Sequence, residues 1–555
     1  MLTGRMMDFP LAITHLLERV NTFFPNVEVV SRRADRSLAR ITYKDVYTRG
    51  VRLAAALAKL GVGPGDRVAT LLWNHAPHLE SYLAVPAMGA VLHTLNLRLA
   101  PSEIGYIANH AKDRVLLVDK TLLPLYAQFK GDVPSFEHVI VVNGDDPVGE
   151  KASAAGGDPS GEGWLDYESI LESAGAPLPS SLFPALDENT AAMLCYTSGT
   201  TGKPKGVLYS HRSIVLHALV ACMRDNLGIG EDDVVLPVVP MFHASAWGLP
   251  YEAAMTGAKL VFPGPHLDPE SLLDLIERER VTLAGGVPTI WLGILDRLDR
   301  EKGRWDISSL RRMIVGGAAA PPAMIDGFAK RHGIEVLHAW GMTEMNPLGT
   351  IARVKAGLRD RTDEARLAYR CTQGYSVAFV EQRHVSDEGA VLPWDATSMG
   401  ELEVRGPWVA ASYFGDEGGD RFTQDGWFKT GDVVKICSEG YVRICDRSKD
   451  VIKSGGEWIS SVALESALMS HPAVLEAAVF AAYHPKWSER PVAAVVFREG
   501  MRATDDELGA HLAATFPKYW LPDAYVELAQ IPRTSTGKFL KTKLREDFAS
   551  VLEKR

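Results

Sequence analysis

The segment YTSGTTGKPKG, residues 196–206, sets four Ser/Thr hydroxyls, three glycines and two lysines within eleven positions. Hydroxyls, cations and glycine-exposed backbone N–H groups are the donors that a many-oxygened anion needs, so the segment reads as a phosphate-holding loop. A P-loop requires G-x-x-x-x-G-K-[ST], its last hydroxyl on a metal. Here Gly199 and Gly202 stand three apart, and Pro204 follows Lys203 where that hydroxyl belongs, so the Walker pattern is absent. The competing reading is a solvated turn between two short strands, AAMLCYT and GVLYS.

Further segments carry reactive side chains. GMTE ends on Thr343 and Glu344, TGD on Asp432, and PRTSTGK on Lys538; DRSKD holds Arg447 and Lys449; KSGGEW runs from Lys453 through Ser454, Gly455, Gly456 and Glu457. Each has an ordinary alternative: a helix-capping carboxylate for Glu344, a surface arginine for Arg447, a solvated turn lysine for Lys538. GGAAA at 316–320, with Gly317 and Ala318, and HAWG at 338–341, with Trp340 and Gly341, are small and apolar segments. VPMFHASAWGLPY puts His243 and Trp247 four apart, on one face if the stretch is helical. The alternative makes Trp247 core and His243 a satisfied buried histidine.

These residues need a scaffold, and the hydrophobic pattern supplies one. Strand-like runs such as RVATLL (67–72), RVLLVD (114–119), HVIVVNG (138–144), KLVFPG, VTLAGG, RRMIVGG and IEVLHAWG alternate with helical stretches. Asp268 before Pro269 marks one helix start, and Gly333 marks the end of another. The alternation predicts an α/β fold of parallel-rich sheets covered by helices. In such folds ligands sit at the carboxyl ends of strands, where 316–317 and 341–344 fall. After about residue 395 the pattern changes to closely spaced strands, and beyond 460 to helix, strand, helix. The boundary is placed at DRSKD, dividing the chain into a large domain 1–447 that includes a β subdomain and a small α+β domain 448–555. The Gly/Ser/Asp-rich stretch 144–163 is a surface loop with no assigned function.

Composition narrows the class. The chain has 555 residues, 46% hydrophobic and 23% charged, enough for more than one core. A net charge of −10 argues against general attraction to nucleic acid or anionic membrane, so an anionic ligand must meet local cations. Five cysteines without a C-x-x-C pair argue against a disulfide framework or a zinc site and fit a cytoplasmic protein. No apolar run reaches bilayer-spanning length, and the N-terminal stretch lacks a cleavage site.

Taken in order, YTSGTTGKPKG, GMTE, GWFKTGD, GYVRICDRSKDVIKSGGEWIS and PRTSTGK resemble the acyl-adenylate-forming superfamily, and most of all its medium- and long-chain fatty acyl-CoA synthetases. The resemblance covers nearly the whole chain. It implies an acid:CoA ligase that uses ATP, Mg2+ and coenzyme A. Thr197, Ser198, Gly199, Thr200, Thr201 and Lys205 would hold the β- and γ-phosphates, Thr343 the α-phosphate, and Glu344 with Thr197 the metal. Gly317, Ala318, Trp340 and Gly341 would frame the adenine, Trp340 standing where the family usually has a stacking Tyr. Asp432 and Arg447 would take the ribose. Lys538, on a mobile C-terminal domain, would serve adenylation; rotation about Lys449 would then bring Lys453, Ser454, Gly455, Gly456 and Glu457 to the CoA step. His243 and Trp247 would border the acid. A medium- or long-chain fatty acid leads, with an aryl or short thioether acid, or a non-catalytic nucleotide- or acyl-binding module, as alternatives. A homodimer is left open.

Overall fold

The computed structural model describes residues 2–143, 163–175, 182–197, 203–415, 418–454, 457–533 and 539–552. The chain divides into two compact units, Met1–Val380 with Gly406–Phe422, and Glu381–Arg405 with Thr423–Arg555.

The first unit holds two large sheets among its described residues. In one, Leu165–Asp166, His138–Val142, Val115–Asp119, Arg67–Leu71, Val91–Thr94 and Ala191–Tyr196 run parallel, and Gly206–Ser210 closes the edge as an antiparallel partner of Ala191–Tyr196. In the other, Glu335–Gly341, Arg312–Val315, Leu283–Gly286, Val234–Pro237, Lys259–Phe262 and Glu28–Arg32 are parallel. Antiparallel strands flank it on both edges. The apolar runs read from sequence are these strands: their residues are buried on both faces because helices cover both sides. The expected helix signals also hold. Asp268 accepts the N–H of Ser271 and opens Pro269–Glu279, and Gly333, at φ 68°, ends Pro322–His332.

The second unit contains an antiparallel four-stranded sheet, Glu381–Val385, Gly400–Arg405, Phe428–Ile436 and Val442–Arg447. A second sheet follows, built on the long hairpin Val474–His484 and Ser488–Phe497, and helices Ser461–Ser470 and Asp505–Ala513 bury Leu464, Leu468, Leu508 and Leu512 against it. By compactness the β subdomain thus groups with the C-terminal residues rather than with 1–380.

Candidate active site

In the first unit, the ends of the phosphate-type loop are fixed by the strand pair beneath it. Thr197 N–H donates to Lys205 O at 2.9 Å, and Lys205 N–H donates to Thr197 Oγ1 at 3.2 Å. Gly206 sits where a Cβ would lie 3.0 Å from Phe414 Cβ and 3.1 Å from both Leu194 and Tyr196, so a side chain there would crowd all three. Ser198, Gly199, Thr200 and Thr201 lie outside the described residues.

Lys205 Nζ stands 5.1 Å from the ring centroid of Tyr413, whose hydroxyl donates to Glu344 Oε1 at 2.6 Å. Burial and the Glu344 charge both push the Tyr413 phenol well above its ordinary value, which keeps it a donor. Glu344 itself is buried, in the turn Thr343–Met345 that follows the strand Glu335–Gly341. Ala410 N–H donates to Glu344 O at 2.8 Å, and Tyr209 OH donates to Thr343 O at 2.6 Å. A cation, a phenol and a carboxylate are thereby aligned at the root of the hydroxyl-rich loop. Tyr413 escaped the sequence reading because SYFGD carries no pattern beyond two aromatics before a glycine.

The base-type slot lies at the carboxyl ends of the parallel strands. Gly316 is buried, whereas Gly317, at φ 79°, and Ala318 are exposed, as is Gly341. His338 Nε2 accepts the N–H of Ala320 at 3.3 Å and steadies the segment. Trp340, read as the stacking ring, is 7% exposed and packs on Gly349, where a Cβ would lie 2.6 Å from Cζ3. Trp247 also lies beside Gly316 and Gly317: Cβ atoms at those glycines would lie 3.4 Å from its Cη2 and 3.8 Å from its Cζ2.

The condition for His243 and Trp247 to share a face, a helical stretch of ordinary right-handed backbone, is not met. His243 is extended, and residues 244–247 all take left-handed dihedrals, φ 42°, 58°, 50° and 59°, followed by Gly248 at 88°. Left-handed backbone costs non-glycine residues roughly 1–2 kcal/mol each, so the surroundings must impose it. Buried Asn74 fixes the segment that leads into the turn: its Nδ2 donates to Pro237 O and Val239 O at 2.9 Å and its Oδ1 accepts Met241 N–H at 2.7 Å. Tyr82 OH also bonds Met241 O, and Ser245 Oγ meets Met193 Sδ at 3.0 Å. Both His243 and Trp247 are half-buried.

In the second unit, Asp432 and Arg447 are cross-strand partners, with Arg447 Nε 2.9 Å from Asp432 Oδ1. Lys449 lies in the turn after that strand; desolvation lowers its pKa, and its carbonyl accepts from Arg545 Nη2 at 2.8 Å. Arg545 also pairs with Asp450 at 2.7 Å, tying the turn to the helix Lys541–Asp547. Lys453 pairs with Asp387 at 2.8 Å and lies 4.8 Å from the Trp458 centroid. Ser454 is buried, its Oγ accepting from Arg490 Nη1 at 3.2 Å. Glu457 begins the short strand Glu457–Ile459. Gly455, Gly456 and Lys538 lie outside the described residues.

Small residues at the carboxyl ends of a parallel sheet, and a lysine at the foot of a hydroxyl-rich loop against the phenol that anchors a buried carboxylate, fit a nucleotide-activating enzyme. The chain belongs to the AMP-binding enzyme family, which matches residues 17–414, with the AMP-binding enzyme C-terminal domain matching 463–538. It is 49% identical to a long-chain-fatty-acid–CoA ligase of Thermus thermophilus, over 98% of this chain and 96% of that one. It is 44% identical to a medium-chain-fatty-acid–CoA ligase of Ectopseudomonas oleovorans, over 99% and 98%. A 3-methylmercaptopropionyl-CoA ligase of Ruegeria lacuscaerulensis is also 44% identical, over 99% of both chains. Among solved structures, the anthranilate CoA ligase AuaEII in complex with anthranoyl-AMP matches with a TM-score of 0.82 at 26% identity, covering 99% of both chains.

Proposed function

We propose that the chain is an AMP-forming acid:CoA ligase acting on a medium- or long-chain fatty acid. The substrate carboxylate attacks the α-phosphorus of ATP and expels pyrophosphate, giving acyl-AMP. The thiol of coenzyme A, losing its proton, then attacks the acyl carbonyl and expels AMP, giving acyl-CoA. The observation that carries this reading is the Lys205, Tyr413 and Glu344 alignment. Adenylation builds charge on phosphoryl oxygens, and catalysis of such transfers is positioning plus charge stabilisation.

In this reading Lys205, with the 197–201 loop, holds the β- and γ-phosphates, and Thr343 the α-phosphate. Gly317, Ala318 and Gly341 border the adenine, and Asp432 and Arg447 serve the ribose hydroxyls. Lys538 offsets charge in the first step; rotation of the C-terminal segment about Lys449 precedes the second, which Lys453 and residues 454–457 serve. Magnesium fits the donors present: it prefers one or two carboxylates plus substrate phosphates, and the Tyr413 hydrogen bond engages Glu344 Oε1, leaving Oε2 outside it. Glu344 and Thr197 would hold the ion, which neutralises phosphate charge when bound. A cytoplasmic location, supported by five cysteines without a C-x-x-C pair, and a homodimer, carried by resemblance alone, complete the proposal.

The 3-methylmercaptopropionyl-CoA ligase relative favours a second reading, a short thioether acid as substrate. A panel of fatty, aryl and thioether acids, scored by AMP formation with and without CoA, separates the two. A rate that rises with chain length to an optimum among fatty acids supports the first; turnover confined to short thioether acids replaces it.

A further inference from the structure

The buried pair His217 and Glu252 has no role in the scheme above. His217, on the helix His211–Ala221, accepts the backbone N–H of Leu348 through Nε2 at 3.2 Å, four residues beyond Glu344. An accepting Nε2 leaves the neutral ring's single proton on Nδ1. That nitrogen faces Glu252 Oε1 at 3.7 Å, and neither Glu252 oxygen has a hydrogen-bond partner among the described residues. Burial holds both groups neutral: it depresses the imidazole to about 3 and raises the carboxyl well above its usual range.

The same ring carries the end of the left-handed turn. A Cβ at Gly248 would lie 2.7 Å from His217 Cε1 and 2.8 Å from Glu252 Oε1, so the turn closes onto this pair with no room for a side chain. Trp408 packs edge-on against the ring, centroids 6.0 Å apart, and its Nε1–H donates to Leu348 O at 3.0 Å. One imidazole therefore touches the turn that bears Trp247 and, through Leu348, the segment that bears Glu344.

We propose that His217 is a positioning residue that couples the acid-side turn at 244–248 to the Glu344 segment on the ATP side. This rests on the ligase reading, which makes the first segment acid-side and the second ATP-side. The physical basis is rigidity: Gly248 packs on one edge of a fixed ring while another edge holds Leu348, so neither segment shifts without the other.

ATP affinity of the full chain, measured by titration calorimetry, tests it with two independent pairs of variants. His217→Gln places an amide oxygen where Nε2 accepts from Leu348, whereas His217→Asn reaches only the Nδ1 position. The asparagine variant should weaken ATP binding at least about fivefold and the glutamine variant less than about twofold. Equal weakening by both, or none, overturns the proposal, whatever the melting temperatures do. In the second pair, Gly248→Ala pushes on the ring from the acid side. It should weaken ATP binding more in the wild-type background than in His217→Ala, where the ring contact is gone and only the Glu252 contact and the strain of φ 88° remain; the same effect in both backgrounds overturns the coupling. Each pair decides alone if a member of the other fails to fold. Because the readout is binding, it stands apart from pyrophosphate release, whose absence would sink the ligase reading instead.

Discussion

Tyr413 donates to Glu344 Oε1 at 2.6 Å while its ring stands 5.1 Å from Lys205 Nζ. Glu344 is buried, so its orientation depends on this one phenol more than a solvated carboxylate would. Leaving a buried acceptor bare costs about 1–3 kcal/mol. Tyr413→Phe should lower kcat/KM for acyl-AMP formation about tenfold, which corresponds to about 1.4 kcal/mol. Glu344→Gln, which also removes the charge, should fall further. Pyrophosphate release measures both; an unchanged rate in Tyr413→Phe would mean that the hydrogen bond is not part of the machinery.

Trp247 lies beside Gly316 and Gly317 and sits on strained backbone, a placement that suits a wall of the acid site better than packing alone. Trp247→Ala should shift the chain-length profile toward longer or bulkier acids. Each methylene newly buried adds about 0.8 kcal/mol, roughly a fourfold preference. Core packing would instead cost about 3–5 kcal/mol of stability and depress every acid alike. kcat/KM across a chain-length series, with melting temperature, separates the two.

The two half-reactions should come apart by mutation. Lys538→Ala is expected to abolish acyl-AMP formation while preformed acyl-AMP and CoA still yield thioester, because its charge is needed only in the first step. Lys449→Pro should show the opposite bias, since fixing φ and removing an N–H hinders a hinge. Equal loss of both half-reactions in either variant contradicts its assignment.

Acid and base should act on His217 and Glu252 with opposite signs. The folded His217 has its pKa depressed to about 3, against about 6.5 unfolded. Within that window the unfolded chain binds the extra proton, so this group's contribution is complete above about 6.5 and falls with pH by about 1.4 kcal/mol per unit. Glu252 is raised above its ordinary 4.5, so the folded chain holds the proton and stability falls as pH rises past that value. Between pH 6.5 and 5, His217→Gln should therefore lose about 2 kcal/mol less than wild type. Glu252→Gln should remove part of the loss on raising pH from 5 to 7. Calorimetric melting across pH checks both; identical slope changes would refute the assignment.

What was legible in the sequence followed local rules. The parallel strands show as continuous apolar runs because both faces are covered, Asp268 announces its helix by capping chemistry, and Asp432 and Arg447 lie in register because a short turn joins their strands. The left-handed turn at 244–248 was not legible. Ala, Ser, Ala and Trp have no preference for positive φ, and the turn's partners are distant in sequence: Ser245 meets Met193, and Gly248 closes on His217. Tyr413 and His217 were missed for the same reason, since each acts through a partner distant in sequence, Glu344 and Leu348 respectively. The packing of Trp340 on Gly349 likewise follows from the strand pairing that places Leu348–Ile351 beside Glu335–Gly341.

The central claim, that the acid is activated as its adenylate, is tested most directly by following carboxylate oxygen. A fatty acid labelled with oxygen-18 in both carboxyl positions is turned over with ATP and CoA, and the AMP is weighed by mass spectrometry. Attack of the carboxylate on the α-phosphorus, followed by thiol attack on the acyl carbon, leaves one carboxylate oxygen on the phosphoryl group of each AMP. The account predicts AMP carrying a single oxygen-18, in step with acyl-CoA formed; unlabelled AMP, or ADP in its place, would contradict it.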